Sequence, residues 1–234
     1  MDLPHVTVIS TGWRHPTAPA CRASVRSQQG VEFTHLYIEA SEQEPARTKV
    51  ENLREAIATL SPDTVCACLD GDDWLAGKYA LRRIAVAHAS GKWATYGSFR
   101  NSDGSPGFAD AYGPGEAYRT SHWRATHLKT FRAGLFQRIA DVDLQYPADA
   151  GGRCVPFGDH VAMRWIDRAD DPAFMYPILE MAGYDRTEYV RDITYIYNEV
   201  GGWHRSASQA ELEHQATIMA LTRSRPAYGR IEAL

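Results

Sequence analysis

Short apolar runs alternate with amphipathic stretches along the first half of the chain. Apolar runs bounded by turn residues are typical of buried strands, and they lie at residues 6–10, 33–40, 64–69 and 93–99. Apolar positions three or four residues apart are typical of helices, and they lie at residues 17–28, 46–60 and 78–89. This alternation predicts an α/β fold, in which helices flank a mostly parallel sheet and ligands bind at the carboxyl ends of the strands.

The second half of the chain begins with a polar segment and returns to helical spacing. Residues 101–117 are rich in Gly, Ser, Pro and Asp, which predicts a loop that is able to move. Beyond it, an apolar stripe at helical spacing predicts a helix through Leu128, Phe131, Leu135, Phe136 and Ile139.

Two more elements are predicted before the C-terminal region. A helix begins near Asp171 and Pro172, and we expect Pro177 to kink it. A short strand at residues 194–197 is broken by the glycines at residues 201–202.

The C-terminal helix has the clearest start signal in the chain. Ser208 and Glu211 have the spacing of a capping box, which predicts a helix beginning at this point. Thr17 is a weaker candidate cap for the helix at residues 17–28. We find no internal repeat and no low-complexity segment in the sequence.

The composition is that of a single globular domain. The 234 residues are 44% hydrophobic and 11% aromatic, with a mean hydropathy of -0.40 and no apolar run long enough for a membrane span. The net charge of -4 and the dispersed Lys and Arg residues disfavour a nucleic-acid partner. The first residues, MDLPHVTVIS, lack the pattern of a signal peptide, so we expect a cytoplasmic location.

The four cysteines show no paired spacing of the kind that binds zinc. Cys66 and Cys68 are two residues apart in a predicted strand and are expected to point to one face of the sheet. We expect Cys21, Cys66, Cys68 and Cys154 to be reduced and structural.

A cluster of acidic residues follows the third predicted strand. Asp70, Asp72 and Asp73 lie directly after the apolar run at residues 65–69, and Gly71 turns the chain between them. Ionised carboxylates this close repel one another unless a cation or several donors compensate them. Mg²⁺ is commonly held by one or two carboxylates together with substrate phosphates. The pattern therefore favours a site for a metal and a diphosphate.

One other interpretation of this acidic cluster remains open, and the neighbouring residues argue against the rest. A solvated turn remains open, because Asp and Gly are common turn residues. A calcium EF-hand loop starting at Asp70 needs Gly and Glu where Leu75 and Leu81 stand. A phosphatase of the haloacid-dehalogenase type usually has Thr or Val at the position of Trp74. A P-loop is absent from the sequence.

The acidic cluster and its surroundings resemble the family 2 glycosyltransferases of the GT-A fold. The similar segments are CLDGDDWL with the following helix and ATYGS, VTVISTGW, SHWRATHLKTFRAGLF, DDPAFMYPILEMAG and TYIYNEVGGWHRSAS. The resemblance covers the chain from Val6 to about Ser208. It implies a single Rossmann-like GT-A domain over residues 1–234, with a nucleotide-sugar half at 1–100, an acceptor half at 101–206 and a C-terminal helix and tail at 207–234.

The resemblance implies roles for the acidic cluster and for a second segment near the C-terminus. Asp72 is expected to bind the metal directly, Asp70 to contact the ribose, the metal or its bound water, and Asp73 to orient the turn. His204 is expected to complete the binding of metal or phosphate, with Arg205 on a phosphate oxygen. An exposed loop histidine is the competing interpretation of His204.

The resemblance also implies a general base and contacts for the donor nucleotide. An inverting enzyme needs a base for the acceptor hydroxyl, and Asp171 is aligned with that base, with Asp170 as the second choice. A helix cap followed by proline is the structural alternative. Thr11, Gly12 and Glu39 are expected near the nucleobase and ribose.

Several side chains of the acceptor half have open interpretations. His127, Lys129 and Arg132 either line the cleft or are solvated charges on a helix, and the second interpretation is favoured because Lys and Arg are mostly exposed. Trp123 and Trp203 either stack on a sugar ring or pack in the core.

Together these features predict a metal-dependent, inverting glycosyltransferase. We expect it to move a hexose from a nucleoside diphosphate sugar, with a UDP-linked sugar as the expected donor, to a hydroxyl acceptor, using Mn²⁺ or Mg²⁺. The alternatives are a phosphoryl-transfer enzyme, either a nucleotidyltransferase or a phosphatase, and a non-catalytic nucleotide-sugar-binding protein.

Overall fold

The computed structural model describes residues 2–12, 16–39, 47–199 and 207–234. The strands in these residues are β1 Val6–Gly12, β2 Phe33–Glu39, β3 Val65–Asp70, β4 Trp74–Leu75, β5 Ala94–Asn101, β6 Lys129–Arg132, β7 Gln145–Ala148, β8 Ala162–Trp165 and β9 Thr187–Tyr197. The helices are α1 Ala18–Arg26, α2 Lys49–Ala58, α3 Ala80–Ala89, α4 Ala133–Gln137, α5 Asp170–Ala182 and α6 Gln209–Ser224. Short 3₁₀ turns occupy Asp141–Leu144 and Tyr184–Arg186.

The described strands form one large sheet and one hairpin. The large sheet has seven strands in the order β2-β1-β3-β6-β5-β9-β4, and β7 pairs with β8. β1 is parallel to β2 and β3, and β5 is parallel to β9. β6 is antiparallel to both of its neighbours, as β4 is to β9. The expected mostly parallel α/β sheet is confirmed.

The antiparallel strand β6 brings the second half of the chain back to the carboxyl end of β3. β5 ends at this edge of the sheet, and β6 begins at the same edge and runs back through the sheet. Lys129, the first residue of β6, therefore pairs with Cys68 near the end of β3. A charged residue is delivered in this way to the edge where ligands bind in α/β sheets.

The two faces of the sheet bury separate apolar clusters. Cys66 and Cys68 point to the face covered by α2, α4 and α5, whereas Ala67 and Leu69 point to the face covered by α1 and α3. The four cysteines are free, and Cys66 and Cys68 are buried on the same face, as expected. Burial raises the pKa of the Cys68 thiol to about 12.

The strands and helices expected in the first half of the chain are confirmed, with small shifts of their ends. The helix expected at residues 46–60 is α2, whose cap Thr48 accepts a hydrogen bond from the backbone of Glu51. Thr17 stands at the N-cap of α1 but makes no side-chain cap there, because its hydroxyl donates to the backbone oxygen of Asp72 (2.8 Å). The expected loop at residues 101–117 is confirmed from Ser102 onward.

The helix expected through Leu128 to Ile139 is wrong over its first half. Lys129–Arg132 is strand β6, and helix α4 covers only Ala133–Gln137. β6 has strands on both sides and is buried on both faces, so its apolar residues carry no alternating pattern. A short run of this kind is compatible with either helix or strand by spacing alone.

Of the C-terminal elements, strand β9 is longer than predicted. α5 continues through Pro177 and is buried over nearly its whole length, and Gly183 ends it with φ 78°. β9 covers eleven residues, where residues 194–197 were predicted. The capping box of Ser208 and Glu211 is present at the start of α6. The glycines at residues 201–202 lie outside the described residues.

Among the described helices, none has the length and apolar character of a membrane span.

His88 of α3 joins the helix to β6 in the core. The side chain is 1% exposed, its Nδ1 donates to the Lys92 carbonyl (2.9 Å), and its Nε2 accepts from the Thr130 hydroxyl (2.8 Å). Thr95 bonds the same hydroxyl (2.6 Å). Burial, together with the charge of Arg132, lowers the pKa of His88 to about 3.

The neutral state of His88 predicts acid sensitivity. Because the folded pKa lies below the unfolded value of about 6.5, this group stabilises the fold fully above pH 6.5 and loses its contribution as the pH falls toward 3. The slope approaches about 1.4 kcal/mol per pH unit. In urea unfolding between pH 4 and 7, His88→Gln should show a shallower pH dependence than the wild type, and the exposed control His122→Gln should keep the wild-type slope. Equal slopes for His88→Gln and the wild type would contradict the buried network.

Candidate active site

The carboxyl ends of β1 and β3 meet through two glycines. A Cβ atom on Gly71 would lie 2.7 Å from the Cα of Gly12, and one on Gly12 would lie 2.9 Å from the Cα of Gly71. The Gly71 amide donates to the carbonyl of Thr11 (3.0 Å). Since no side chain fits at either position, this close approach places Thr11 and Gly12 beside Asp70.

The acidic turn after β3 is tied to β9 by Asp73. Asp73 is 1% exposed, and it accepts hydrogen bonds from the Asn198 amide (2.7 Å) and from the Tyr195 hydroxyl. Burial raises the pKa of Asp73 to about 8, and the charges of Asp70 and Asp72 add to the increase. Asp73 is therefore placed to fix the turn, while Asp72 in the same turn is half-buried.

Five charged side chains meet next to this turn, and we call them the crevice cluster. They are Lys49, Asp70, Lys129, Asp170 and Asp171. The Lys49 ammonium lies 2.7 Å from Asp70 Oδ1, 3.0 Å from Asp171 Oδ1 and 3.4 Å from Asp170 Oδ2. Lys129 Nζ lies 2.7 Å from Asp171 Oδ2. Three carboxylates thus share two ammonium groups.

Each member of the crevice cluster is the first or last residue of its element, or next to it. Asp70 ends β3 and Lys129 begins β6. Lys49 is the first residue of α2, and Asp170 with Asp171 forms the start of α5. Strand ends and helix starts converge at this edge of an α/β sheet, which explains how residues far apart in sequence come together.

Burial and ion pairing shift the pKa values of the two carboxylates at the start of α5 in opposite directions. Burial alone would raise the pKa of Asp171, but Lys129 and Lys49 outweigh it and hold that pKa well below its usual range. Burial raises the pKa of Asp170, and Lys49 offsets this only in part. Asp171 is consequently held as an anion, whereas Asp170 has the greater affinity for a proton.

The backbone before α5 is strained where it delivers these carboxylates. Ala169 has φ 51°, in the left-handed region that a residue with a Cβ atom adopts rarely. Ala169 is the N-cap, and its side chain caps nothing. The interpretation of Asp171 as the N-cap is therefore wrong, and its carboxylate binds the two lysines. Asp170 Oδ1 accepts from the Asp171 amide (2.9 Å).

Lys129 is buried and His127 is half-buried beside the crevice cluster, so neither is a solvated charge on a helix. Lys129 is 0% exposed, and its Nζ donates to His127 Nδ1 (2.8 Å). Burial lowers the pKa of His127 to about 3, and Lys129 adds to this effect. Arg132 lies at the far end of β6 and donates to the Asp63 carbonyl. Neutral His127 is thus a hydrogen-bond acceptor that helps to hold Lys129.

The expected nucleotide residue Glu39 lies opposite Gly12 in the sheet register. It is exposed and forms an ion pair with Arg22, whose guanidinium stands 4.0 Å from the ring centre of Tyr37. Trp123 packs edge-on against Tyr176 of the buried helix α5, with 5.3 Å between the rings, which fits core packing.

The described residues offer few ligands of their own to a divalent metal. Asp70 Oδ1 is bound to Lys49, and no group of three His, Cys, Asp or Glu side chains in the described part of the chain forms a metal site. Asp72 lies in the same turn and is half-buried. His204 and Arg205, expected to complete the site, lie outside the described residues, as does Trp203. The carboxylates present fit a metal held mainly by substrate phosphates, the usual mode for Mg²⁺.

Lys49 was not predicted from the sequence. The need for a counter-charge beside Asp70 was evident, but a lysine at a helix start is usually solvated. The helical spacing around Lys129 favours a solvated helix charge, because the short strand β6 has no alternating pattern. The signal that could have found both is the same: buried carboxylates require nearby cations.

Comparison with known proteins identifies the fold but not a family. No family model matches the sequence, and no curated protein matches it. The structure is similar to that of S. aureus TarS 1–349 in complex with UDP-GlcNAc, with a TM-score of 0.59 and 13% identity, covering 95% of this chain and 65% of that chain. The complex of the same protein with UDP gives a TM-score of 0.51 and 12% identity, covering 94% of this chain and 65% of that chain. The expected Rossmann-like GT-A fold is thereby confirmed.

The contact between the two glycines gives a test of the crevice. Gly71→Ala forces a Cβ atom into the backbone of Gly12, and we expect a loss of about 1–3 kcal/mol in the free energy of unfolding. The matched control is Gly229→Ala, because nothing lies within 4 Å of an added Cβ there. Urea denaturation of both variants measures the difference. Wild-type stability in Gly71→Ala would show that β1 and β3 do not approach as described.

Proposed function

We propose that this protein is a glycosyltransferase that moves a hexose from a nucleoside diphosphate sugar, with UDP as the expected nucleotide, to a hydroxyl group of an acceptor. The observation that supports this most directly is the crevice cluster, in which the donor-side Asp70 and the acceptor-side Asp170 and Asp171 face one another. The likeness to TarS, a GT-A glycosyltransferase solved with UDP-GlcNAc and with UDP, supports the same class of donor.

The donor is proposed to bind across the ends of β1, β2 and β3. Thr11, Gly12 and Glu39 border the place for the nucleobase and ribose, and Gly12 has no side chain because the backbone of Gly71 lies against it. Asp70 is proposed to lie beside the ribose. His204 and Arg205, which lie outside the described residues, are proposed to bind the diphosphate.

Mn²⁺ or Mg²⁺ is proposed as the cofactor. Asp72 would hold it, with His204 as a further proposed ligand and with Asp70 in the surrounding shell. Such a cation, when bound, neutralises charge that develops on the departing diphosphate. The buried Asp73 keeps the turn in place by its bonds to Tyr195 and Asn198.

The transfer is proposed to invert the configuration at the sugar carbon. The acceptor oxygen forms a bond to the anomeric carbon as the bond from that carbon to the diphosphate oxygen breaks. The electron pair of the broken bond leaves with the nucleoside diphosphate, and the acceptor proton passes to a carboxylate of the enzyme.

The proton is proposed to go to Asp170, with Asp171 as the charged group beside it. Both oxygens of Asp171 are bound to ammonium groups, at 3.0 Å from Lys49 and 2.7 Å from Lys129, which makes it a weak base. Asp170 makes a single, longer contact with Lys49. This reverses the order that the sequence resemblance implies for the two residues.

Donor binding can be tested by thermal unfolding with a panel of nucleotides. We expect UDP and UDP-sugars to raise the Tm, since a ligand at 100 times its Kd stabilises by about 2.7 kcal/mol, which is roughly 5–10 °C for a chain of this size. We expect Mn²⁺ to enlarge the shift in the wild type but not in Asp72→Asn. A lack of response to every nucleoside diphosphate would contradict the proposal, and release of phosphate without sugar transfer would favour a phosphoryl-transfer enzyme.

Substitution of each carboxylate at the start of α5 distinguishes the role of Asp170 from that of Asp171. Asp170→Asn should lower the transfer rate by about 100-fold or more with donor binding and Tm retained, because it removes the proton acceptor but keeps the bond to the Asp171 amide. Unlike Asp170→Asn, Asp171→Asn should lower the Tm, since it leaves the buried Lys129 without its carboxylate. The expected loss in the free energy of unfolding is about 3–5 kcal/mol.

The matched control for both variants is Asp192→Asn, which makes the same charge change at an exposed ion pair with Arg83. It should leave transfer and Tm unchanged. Wild-type turnover in Asp170→Asn would assign the base to another residue.

A further inference from the structure

Lys49 makes ion pairs with carboxylates from two other elements of the fold. Its ammonium lies within 3.4 Å of Asp70 on β3 and of Asp170 and Asp171 on α5. The lysine side chain is 20% exposed, and the three carboxylates are similarly enclosed, at 21–24%. This ammonium group is the contact that joins the donor side of the crevice to its acceptor side.

The position of Lys49 in its helix is locally unfavourable. It is the first residue of α2, where the positive end of the helix dipole disfavours a cation. The same helix start is otherwise regular, with Thr48 as cap and Glu51 in the first turn. A residue that violates a local preference is expected to be offset elsewhere, and the three carboxylates supply that offset.

The contacts of Lys49 have the arrangement of a cation among oxygen ligands. An ammonium group offers three hydrogen-bond donors and a compact charge, and here three carboxylates surround it. Hard divalent cations take the same kind of ligands. Burial of three carboxylates without a cation would be strongly unfavourable.

We propose that Lys49 is a positioning residue that serves as a built-in cation, holding Asp70 and the Asp170–Asp171 pair at fixed positions across the crevice. Its part in the reaction rests on the proposed function, whereas its part as an internal cation does not. A consequence is that the charge of Asp70 is already paired with a cation of the protein.

The test replaces the built-in cation with an added one. Lys49→Ala removes the ammonium and leaves three carboxylates facing a small space, so the Tm in EDTA should fall by about 10 °C. Added Mn²⁺ at millimolar concentration, without nucleotide, should restore about half of that loss. Electron paramagnetic resonance should show one more bound Mn²⁺ per chain in Lys49→Ala than in the wild type.

The matched control is Lys78→Ala, which makes the same charge change at an exposed lysine. It should keep the wild-type Tm and the wild-type number of bound Mn²⁺ ions. Lys49→Arg should retain a cation, and it should therefore bind no additional Mn²⁺. A purely structural lysine would lower the Tm of Lys49→Ala without creating a metal site.

A second variant keeps the test decisive if Lys49→Ala does not fold. Lys49→Ala combined with Asp170→Asn has one carboxylate fewer, so it should fold and bind the additional Mn²⁺ more weakly than the single variant would. Failure of both variants to gain Mn²⁺ would overturn the inference. If Mn²⁺ is gained but the wild type binds no nucleoside diphosphate, the proposed function fails and the internal cation stands.

Discussion

The compensation of three half-buried carboxylates by two lysines is the constraint on which the crevice cluster depends. Asp70, Asp170 and Asp171 are largely removed from water, and charged groups in that state are tolerated only when they are paired. Lys49 and Lys129 provide the pairing, with contacts of 2.7–3.4 Å. The carboxylates are thereby kept at fixed positions at the carboxyl edge of the sheet.

The sheet topology makes this pairing possible. In a purely parallel sheet, every strand would end at the crevice, and a charged residue at the start of a strand would lie at the opposite edge. β6 runs against its neighbours, so its first residue, Lys129, arrives beside Cys68 and the carboxyl end of β3. The bond from Lys129 to His127 then fixes the ammonium from the other side. One reversed strand therefore supplies a cation that the parallel pattern would not.

The sequence predicts much of the scaffold because the scaffold follows local rules. The apolar run before Asp70 and the helical spacing of α2 and α3 give the parallel part of the sheet, and the capping box of Ser208 gives the last helix. The acidic turn was identified as the centre of the site for an electrostatic reason, the repulsion of neighbouring carboxylates. The sequence does not predict the cations Lys49 and Lys129 of this site, because their positions depend on contacts between residues far apart in the chain.

The features that the sequence does not predict share a physical cause. β6 is only four residues long and buried on both faces, so spacing does not distinguish it from a helix. Lys49 has the local pattern of a solvated helix residue, and only its distant partners Asp70 and Asp171 show otherwise. The order of Asp170 and Asp171 as bases was likewise beyond local reasoning, since it depends on which oxygens the lysines bind.

Anomalous diffraction at the manganese edge, from a crystal grown with UDP and Mn²⁺, tests the built-in cation most directly. We expect the manganese peak beside Asp72 and the diphosphate, with the Lys49 ammonium still between Asp70 and Asp171. A manganese peak among Asp70, Asp170 and Asp171, with Lys49 turned to solvent, would contradict the assignment of Lys49 as the cation of the crevice.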